Sequence, residues 1–241
     1  GGDGNDTVSG DAGDDWVYGD AGNDALSGGE GNDRVYGGNG DDAVSGDAGN
    51  DYVYGDAGND LLSGGAGKDY VYGGSGDDTL SGGEGNGDYL SGDAGNDTYL
   101  FALGDGNTTI YNYDTGAERY DVLKLAEGIV ATDVVAKRVS NDLRLTLQSS
   151  GEVITVSGFF SGANYELNAV EFADGTMWEP ALLKTLVMQT TDEADNITGY
   201  AEDEIISGLD GNDTLRGGDG NDTVSGDAGD DWVYGDAGND A

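Results

Sequence analysis

The chain has 241 residues, 49 of them Asp or Glu and 9 Lys or Arg, which gives a formal net charge of −40 with no His and no Cys. That composition excludes Ser/His/Asp triads, Cys nucleophiles, HExxH helices and ordinary zinc or iron–sulfur sites, and its charge repels nucleic acid and anionic membranes. With 47 Gly and one Pro the compositional default is disorder, but the chain is periodic, and periodicity overturns that default. No apolar run approaches the roughly 18 residues of a membrane span, and the opening GGDGNDTVSG has neither basic nor apolar signal-peptide character.

From Gly1 to Ser81 the sequence is an ungapped series of nonapeptides, beginning GGDGNDTVS, GDAGDDWVY, GDAGNDALS, GGEGNDRVY, each following G-G/D-x-G-x-D-x-U-x with U either Val or Leu. A further copy, GGEGNGDYLS, carries one extra residue, and GDAGNDTYL begins at Gly92. Gly at positions 1 and 4 and Asn or Asp at position 5 predict turns with positive φ, while x-U-x predicts a three-residue strand with U facing inward. Such a strand is about 10 Å long and cannot stand alone. Two strands and two turns therefore make one coil, and stacked coils give two short parallel sheets facing each other across a thin core. That core is expected at Val8, Val17, Leu26, Val35, Val44, Val53, Leu62, Val71, Leu80 and Leu90.

Position 9 alternates Ser9, Tyr18, Ser27, Tyr36, Ser45, Tyr54, Ser63, Tyr72, Ser81, so the true period is 18 residues. One outer face then carries Trp16, Tyr18, Arg34, Tyr36, Tyr52, Tyr54, Tyr70 and Tyr72, and the other carries small residues such as Thr7, Ser9, Ala25 and Ser27. Stacking also places Asp6, Asp15, Asp24, Asp33, Asp42, Asp51, Asp60, Asp69, Asp78, Asp88 and Asp97 in two columns, with neighbours about 4.8 Å apart. Like charges at that spacing need a cation between them. One buried aliphatic per nine residues does not offset the entropy of ordering them, which points the same way. Carboxylate and carbonyl oxygens on flexible loops suit the irregular shell of Ca²⁺ better than octahedral Mg²⁺.

Between residues 98 and 189 Gly and Asp thin out and aliphatics become frequent. Alternation in DLRLTL, the segment GEVITV, and YELNAVEF running into Ala173-Asp174-Gly175 predict a β-rich inserted domain, with a short helix at PALLKTLV. Asp114, Asp121, Glu171 and Asp174 have no catalytic spacing, so no enzyme activity is expected here. Phe159, Phe160 and Trp178 read as core aromatics. Repeats return from residue 190: TTDEADNIT and GYAEDEIIS are degenerate, and GLDGNDTLR, GGDGNDTVS, GDAGDDWVY and GDAGNDA follow. N-x-T triplets such as Asn5-Asp6-Thr7 arise from the repeat and are not read as glycosylation sites. Residues 217–241 are identical to residues 1–25, an offset of 216 residues or twelve coils, so the chain is expected to be one unit of a tandem array plus an overlap.

These nonapeptides resemble the haemolysin-type RTX calcium-binding repeat of secreted bacterial toxins, proteases, lipases, epimerases and adhesins. GDGNTTIYNYD, Phe159-Phe160 and FADGTMW resemble the haemolysin-type calcium-binding-related domain that interrupts such arrays. The resemblance implies an all-β parallel β-roll over 1–97, a β-rich capping domain over 98–189 and a second β-roll segment over 190–241. It implies that each calcium ion lies between loops two repeats apart, held by two position-6 Asp and nearby backbone carbonyls. Asp6 then pairs with Asp24, Asp15 with Asp33, and so on to Asp78 with Asp97; in the second array Asp213 pairs with Asp231 and Asp222 with Asp240. The extra residue displaces the loop at Asp88, and Glu202 and Glu204 stand where Gly and Asp belong, so sites at Asp88, Asp195 and Glu204 depart from the pattern. Roughly a dozen ions are expected.

By the same resemblance the chain is a structural module of a large secreted protein, exported unfolded through a type I channel and ordered outside by calcium. The 216-residue repetition makes it an expected tandem unit of an extracellular filament, adhesin or surface layer, and its open coil ends and Tyr/Trp ladder are expected to let it self-associate end to end or through that aromatic face. The alternative is a calcium-triggered folding and secretion module of a toxin or hydrolase with its catalytic domain elsewhere.

Overall fold

The computed structural model describes residues 1–241 and is all-β, 50% strand and 7% helix, with parallel coils stacked about 18 residues apart as a β-solenoid. Two compact units are present, Gly1–Pro180 and Ala181–Ala241.

In the first unit, successive strands alternate between two sheets. One sheet carries Trp16–Ala21, Arg34–Asn39, Tyr52–Ala57, Tyr70–Ser75 and Asp88–Ala94; the other carries Ala25–Glu30, Ala43–Ala48, Leu61–Gly67 and Thr79–Gly85. Pairing is parallel and in register, with Val17 opposite Val35, Val35 opposite Val53 and Leu62 opposite Leu80. Every expected core aliphatic except Val8, which lies in the outermost coil, is buried.

Two local expectations need correction. Most strands in the array are six or seven residues long, not three: each runs through x-U-x into positions 1 to 3 of the next repeat, because the Gly after U also points inward, as Val17 and Gly19 do. Positive φ falls at positions 2 and 4, not 1 and 5. Gly38 and Gly40 have φ of 112° and 124°, and where position 2 is Asp the residue is still left-handed, as at Asp47 with φ 72°. Asp tolerates that conformation because a short polar side chain can bond locally, and here Ser45 Oγ donates to Asp47 Oδ1 at 2.6 Å.

The ladders do not stop at residue 97. Thr98–Phe101, Val122–Leu125 and Ala169–Phe172 add in parallel to one sheet, and Thr108–Tyr111 and Val153–Ser157 to the other. The inward U column continues accordingly through Tyr99, Leu123 and Val170 on one side and Ile110 and Val156 on the other, all at most 1% exposed. Antiparallel strands Asp142–Leu147 and Val134–Val139 close one sheet and Met177–Trp178 the other. Parallel stacking ends where antiparallel strands cover the edge.

The second unit repeats the architecture on a smaller scale. Asn196–Thr198, Thr214–Asp219 and Trp232–Ala237 form one parallel sheet and Ile205–Ser207 with Thr223–Ser225 the other. Ile197, Ile206 and Leu215 make its core, with Met188 and Val224 packed against them.

Candidate metal site: two aspartate columns

Each position-6 Asp directly precedes, or in the case of Asp88 begins, a strand, so the parallel register that aligns the U residues also aligns the carboxylates. The backbone N–H of each Asp donates to Oδ1 of the Asp one coil on. Asp24 donates to Asp42 at 2.8 Å, Asp33 to Asp51 and Asp42 to Asp60 at 2.7 Å, and Asp78 to Asp97 at 3.0 Å. Asp69 donates to Asp88 at 3.0 Å, so the extra residue of that repeat is absorbed in the loop and Asp88 keeps its place in the column.

The second carboxylate oxygen is different. Oδ2 of Asp6, Asp15, Asp24, Asp33, Asp42, Asp51, Asp60, Asp69, Asp78, Asp88, Asp213 and Asp222 is buried and meets no donor of the chain. Buried polar atoms are almost always satisfied in folded proteins. A repeated row of bare carboxylate oxygens therefore has the donor chemistry of a cation site, and the residues fit calcium. Nowhere do three acidic side chains converge on one point. Two carboxylates bound each interval, so backbone carbonyls must supply the rest of an ion's shell.

Close approach of successive coils explains position 1. A Cβ built on Gly46 would lie 2.6 Å from Asp51 Oδ2 and 2.5 Å from the Gly64 carbonyl, and Gly28, Gly37 and Gly55 are equally crowded by Asp Oδ2 and a carbonyl one coil on. Position 1 is thus Gly because the next coil's carbonyl and the Asp carboxylate approach too closely for a Cβ, not because of φ. Gly46→Ala is expected to cost about 1–3 kcal/mol in the calcium-loaded state, while Ser63→Ala on the outer face stays within about 0.5 kcal/mol. Thermal melts at fixed calcium compare them.

Burial is the leading electrostatic effect. It pushes the carboxyls of Asp51, Asp78 and Asp97 up to about 7 and those of Asp60, Asp69 and Asp88 to about 6, with like-charged column neighbours adding to the rise for most of them. Without a positive partner these acids give up their protons only as pH rises through about 6 to 7.

Among the other residues named from the sequence, Asp97 is 1% exposed and in line, and Asp231 and Asp240 accept the Asp213 and Asp222 N–H groups at 3.0 and 3.1 Å at the outer end of the second unit. Asp195 and Glu204 also join the columns through their N–H groups, which donate to Asp213 and Asp222 at 2.8 Å. Asp195 Oδ2 is already taken by the Thr191 N–H and hydroxyl, at 2.6 and 3.1 Å.

Three residues of the columns were not singled out as site residues from the repeat pattern. Thr108 lies opposite Asp88 in one column. In the other, Asp121 accepts the Asp97 N–H at 3.0 Å, and Asn168 accepts the Asp121 N–H at 2.8 Å. Their signals are present but faint: in GDGNTTIY, Thr108 occupies position 6 of a degenerate repeat, and Asp121 and Asn168 each stand two residues before a buried U residue. Position 5 also forms a ladder, of opposite polarity, in which Asn50 N–H donates to Asn32 Oδ1 at 3.0 Å and Asn59 N–H to Asp41 Oδ1 at 2.9 Å.

The model of the RTX calcium-binding nonapeptide repeat matches residues 1–35, 21–53, 54–87, 72–110, 187–215 and 207–241, and that of the haemolysin-type calcium binding protein related domain matches residues 142–181. The chain is 44% identical over 115 residues to the iron-regulated protein FrpA of Neisseria meningitidis serogroup C, which is 46% of this chain and 10% of that protein. The match thus spans about a tenth of the curated relative. Among solved structures, the extracellular lipase LipA of Serratia marcescens is similar at 18% identity, with a TM-score of 0.27, over 59% of this chain and 40% of the lipase.

Proposed function

The chain belongs to the RTX calcium-binding nonapeptide repeat family, and from that premise we propose that it is a non-catalytic structural section of a larger secreted protein that becomes rigid on meeting extracellular calcium. The row of buried, partnerless Oδ2 atoms carries the reading. Asp6, Asp15, Asp24, Asp33, Asp42, Asp51, Asp60, Asp69, Asp78, Asp88 and Asp97 hold the ions of the first array, and Asp213, Asp222, Asp231 and Asp240 those of the second. Bound calcium supplies the positive charge that lets neighbouring carboxylates stay ionised in a buried column. Roughly a dozen ions are expected, and equilibrium dialysis at saturating calcium counts them. Binding of one or two ions would reject the column reading.

The repetition of residues 1–25 at 217–241 favours a tandem array, making the section one link of a filament, adhesin or surface layer, in which the antiparallel strands within residues 98–189 cap the first roll segment. More copies of the 216-residue unit in the flanking sequence support this reading; a single unit beside a catalytic domain replaces it with the folding and secretion module.

Self-association runs end to end or through the aromatic face. Tyr18, Tyr36, Tyr54 and Tyr72 stack with centroids 4.7–5.1 Å apart and planes within 8°. The Arg34 guanidinium lies between the Trp16 and Tyr52 rings at 5.2 and 5.1 Å. Ring faces are thus largely used within the ladder, while Trp16 remains 61% exposed at its open end. Replacing these four tyrosines by Ser is expected to leave calcium-dependent folding in place and to abolish association in sedimentation experiments. Surviving association confines the ladder to holding parallel strands together.

A further inference from the structure

The two carboxylate columns of the first unit end on different chemistry. In one column the last interval is bounded by Asp88 and Thr108, which are register partners. Asp88 is fully buried and Thr108 is 4% exposed; Asp88 Oδ2 and Thr108 Oγ1 are both buried without a hydrogen-bond partner. A buried bare hydroxyl is costly, and Val fills the same shape without that cost. Thr108 therefore keeps an unsatisfied oxygen where the repeat keeps an unsatisfied carboxylate.

In the other column the corresponding interval lies between Asp97 and Asp121. The backbone bond is the one seen throughout, Asp97 N–H to Asp121 Oδ1 at 3.0 Å. Here, however, Asp121 Oδ2 is occupied: the Arg119 guanidinium is paired with it, and Asn112 Nδ2 donates to it at 3.0 Å. Arg119 is held in turn by the Ala163 and Glu166 carbonyls, and Asn112 by the Tyr99 hydroxyl at 2.9 Å. Both partners of the pair are nearly buried, with side chains 8% and 1% exposed. A cation belonging to the chain already fills the place that is open elsewhere.

We infer that the Asp88–Thr108 interval is an additional divalent-cation site, a carboxylate and hydroxyl pair that takes calcium, whereas the Asp97–Asp121 interval takes none because Arg119 stands in for the ion. This rests on the calcium-column reading above. With one carboxylate fewer than its neighbours, the Asp88–Thr108 site binds more weakly and fills last. One column therefore has its final cation built in, and the other must acquire it.

Native mass spectrometry of the full chain at graded calcium concentrations tests this. Thr108→Val is expected to bind one ion fewer than the parent chain, with the far-ultraviolet circular dichroism at saturation unchanged. Thr108→Asp is expected to bind the parent number, with the last step moved to lower calcium. Arg119→Gln is expected to bind one more ion. An unchanged count in Thr108→Val, or one extra ion in Thr108→Asp, overturns the new site, and an unchanged count in Arg119→Gln overturns the surrogate role of Arg119. A parent chain that binds no calcium rejects the column reading instead, so the two failures are distinct.

Discussion

Chelating calcium at neutral pH is expected to abolish the parallel-β signal of this chain. Twelve aspartates present a buried Oδ2 without a donor, and a column of ionised carboxylates in a dry interval is unfavourable both through lost hydration and through mutual repulsion. A site with a dissociation constant of about 10⁻⁴ M gains about 1.4 kcal/mol from about 1 mM calcium and nothing from about 10⁻⁷ M. Summed over the columns, that difference separates folded from unfolded.

The metal-free chain has one other way to neutralise the columns, which is to bind protons. Burial holds Asp51, Asp78 and Asp97 at about 7 and Asp60, Asp69 and Asp88 at about 6, above the ordinary carboxyl value of 3.8. Because these folded-state values are raised, the native state carries more protons than the unfolded state between them. The resulting stabilisation is complete below the unfolded value and is lost as pH rises through about 6 to 7. Chelated protein should therefore regain β structure on acidification to about pH 5, while calcium-loaded protein should lose ions over the same range. Circular dichroism in excess chelator measures the first effect and equilibrium dialysis of the calcium-loaded protein across the same pH range the second, and a full native signal at neutral pH without calcium would falsify the dependence.

Asp60→Ala is expected to be the most damaging single substitution of those considered. Asp60 is 3% exposed, and its Oδ1 accepts the Asp42 N–H at 2.7 Å. Truncation leaves that donor buried and unpaired, which costs about 1–3 kcal/mol. The same carboxylate also bounds two intervals, toward Asp42 and toward Asp78, so two ions lose a ligand at once. Together the loss is of the order of 5 kcal/mol at about 1 mM calcium. Asp240→Ala is the comparison: Asp240 is exposed, at the outer end of its column, and bounds a single interval. Its loss removes a ligand from one ion only and should cost about 1–2 kcal/mol. If calcium-dependent melts cannot tell the two variants apart, the interior columns do not carry the fold.

The strictly repeated part of this architecture was legible residue by residue. With one spacing throughout the array, the period that aligns Val35 with Val53 also aligns Asp33 with Asp51, so sheets, core and columns follow from a local pattern. What the pattern could not give was decided where that period breaks. Asp121 is reached from Asp97 across 24 residues and Asn168 from Asp121 across 47, and loops of such unequal length hide a register that only backbone pairing restores. The sequence likewise marked position 1 as Gly but not why. The crowding of Gly46 by Asp51 Oδ2 and the Gly64 carbonyl exists only once one coil lies on the next. The Arg119–Asp121 pair that ends one column and the bare Thr108 hydroxyl that ends the other depend on which strand stacks last. That is set by long-range hydrogen bonding and burial, which no nine-residue window contains.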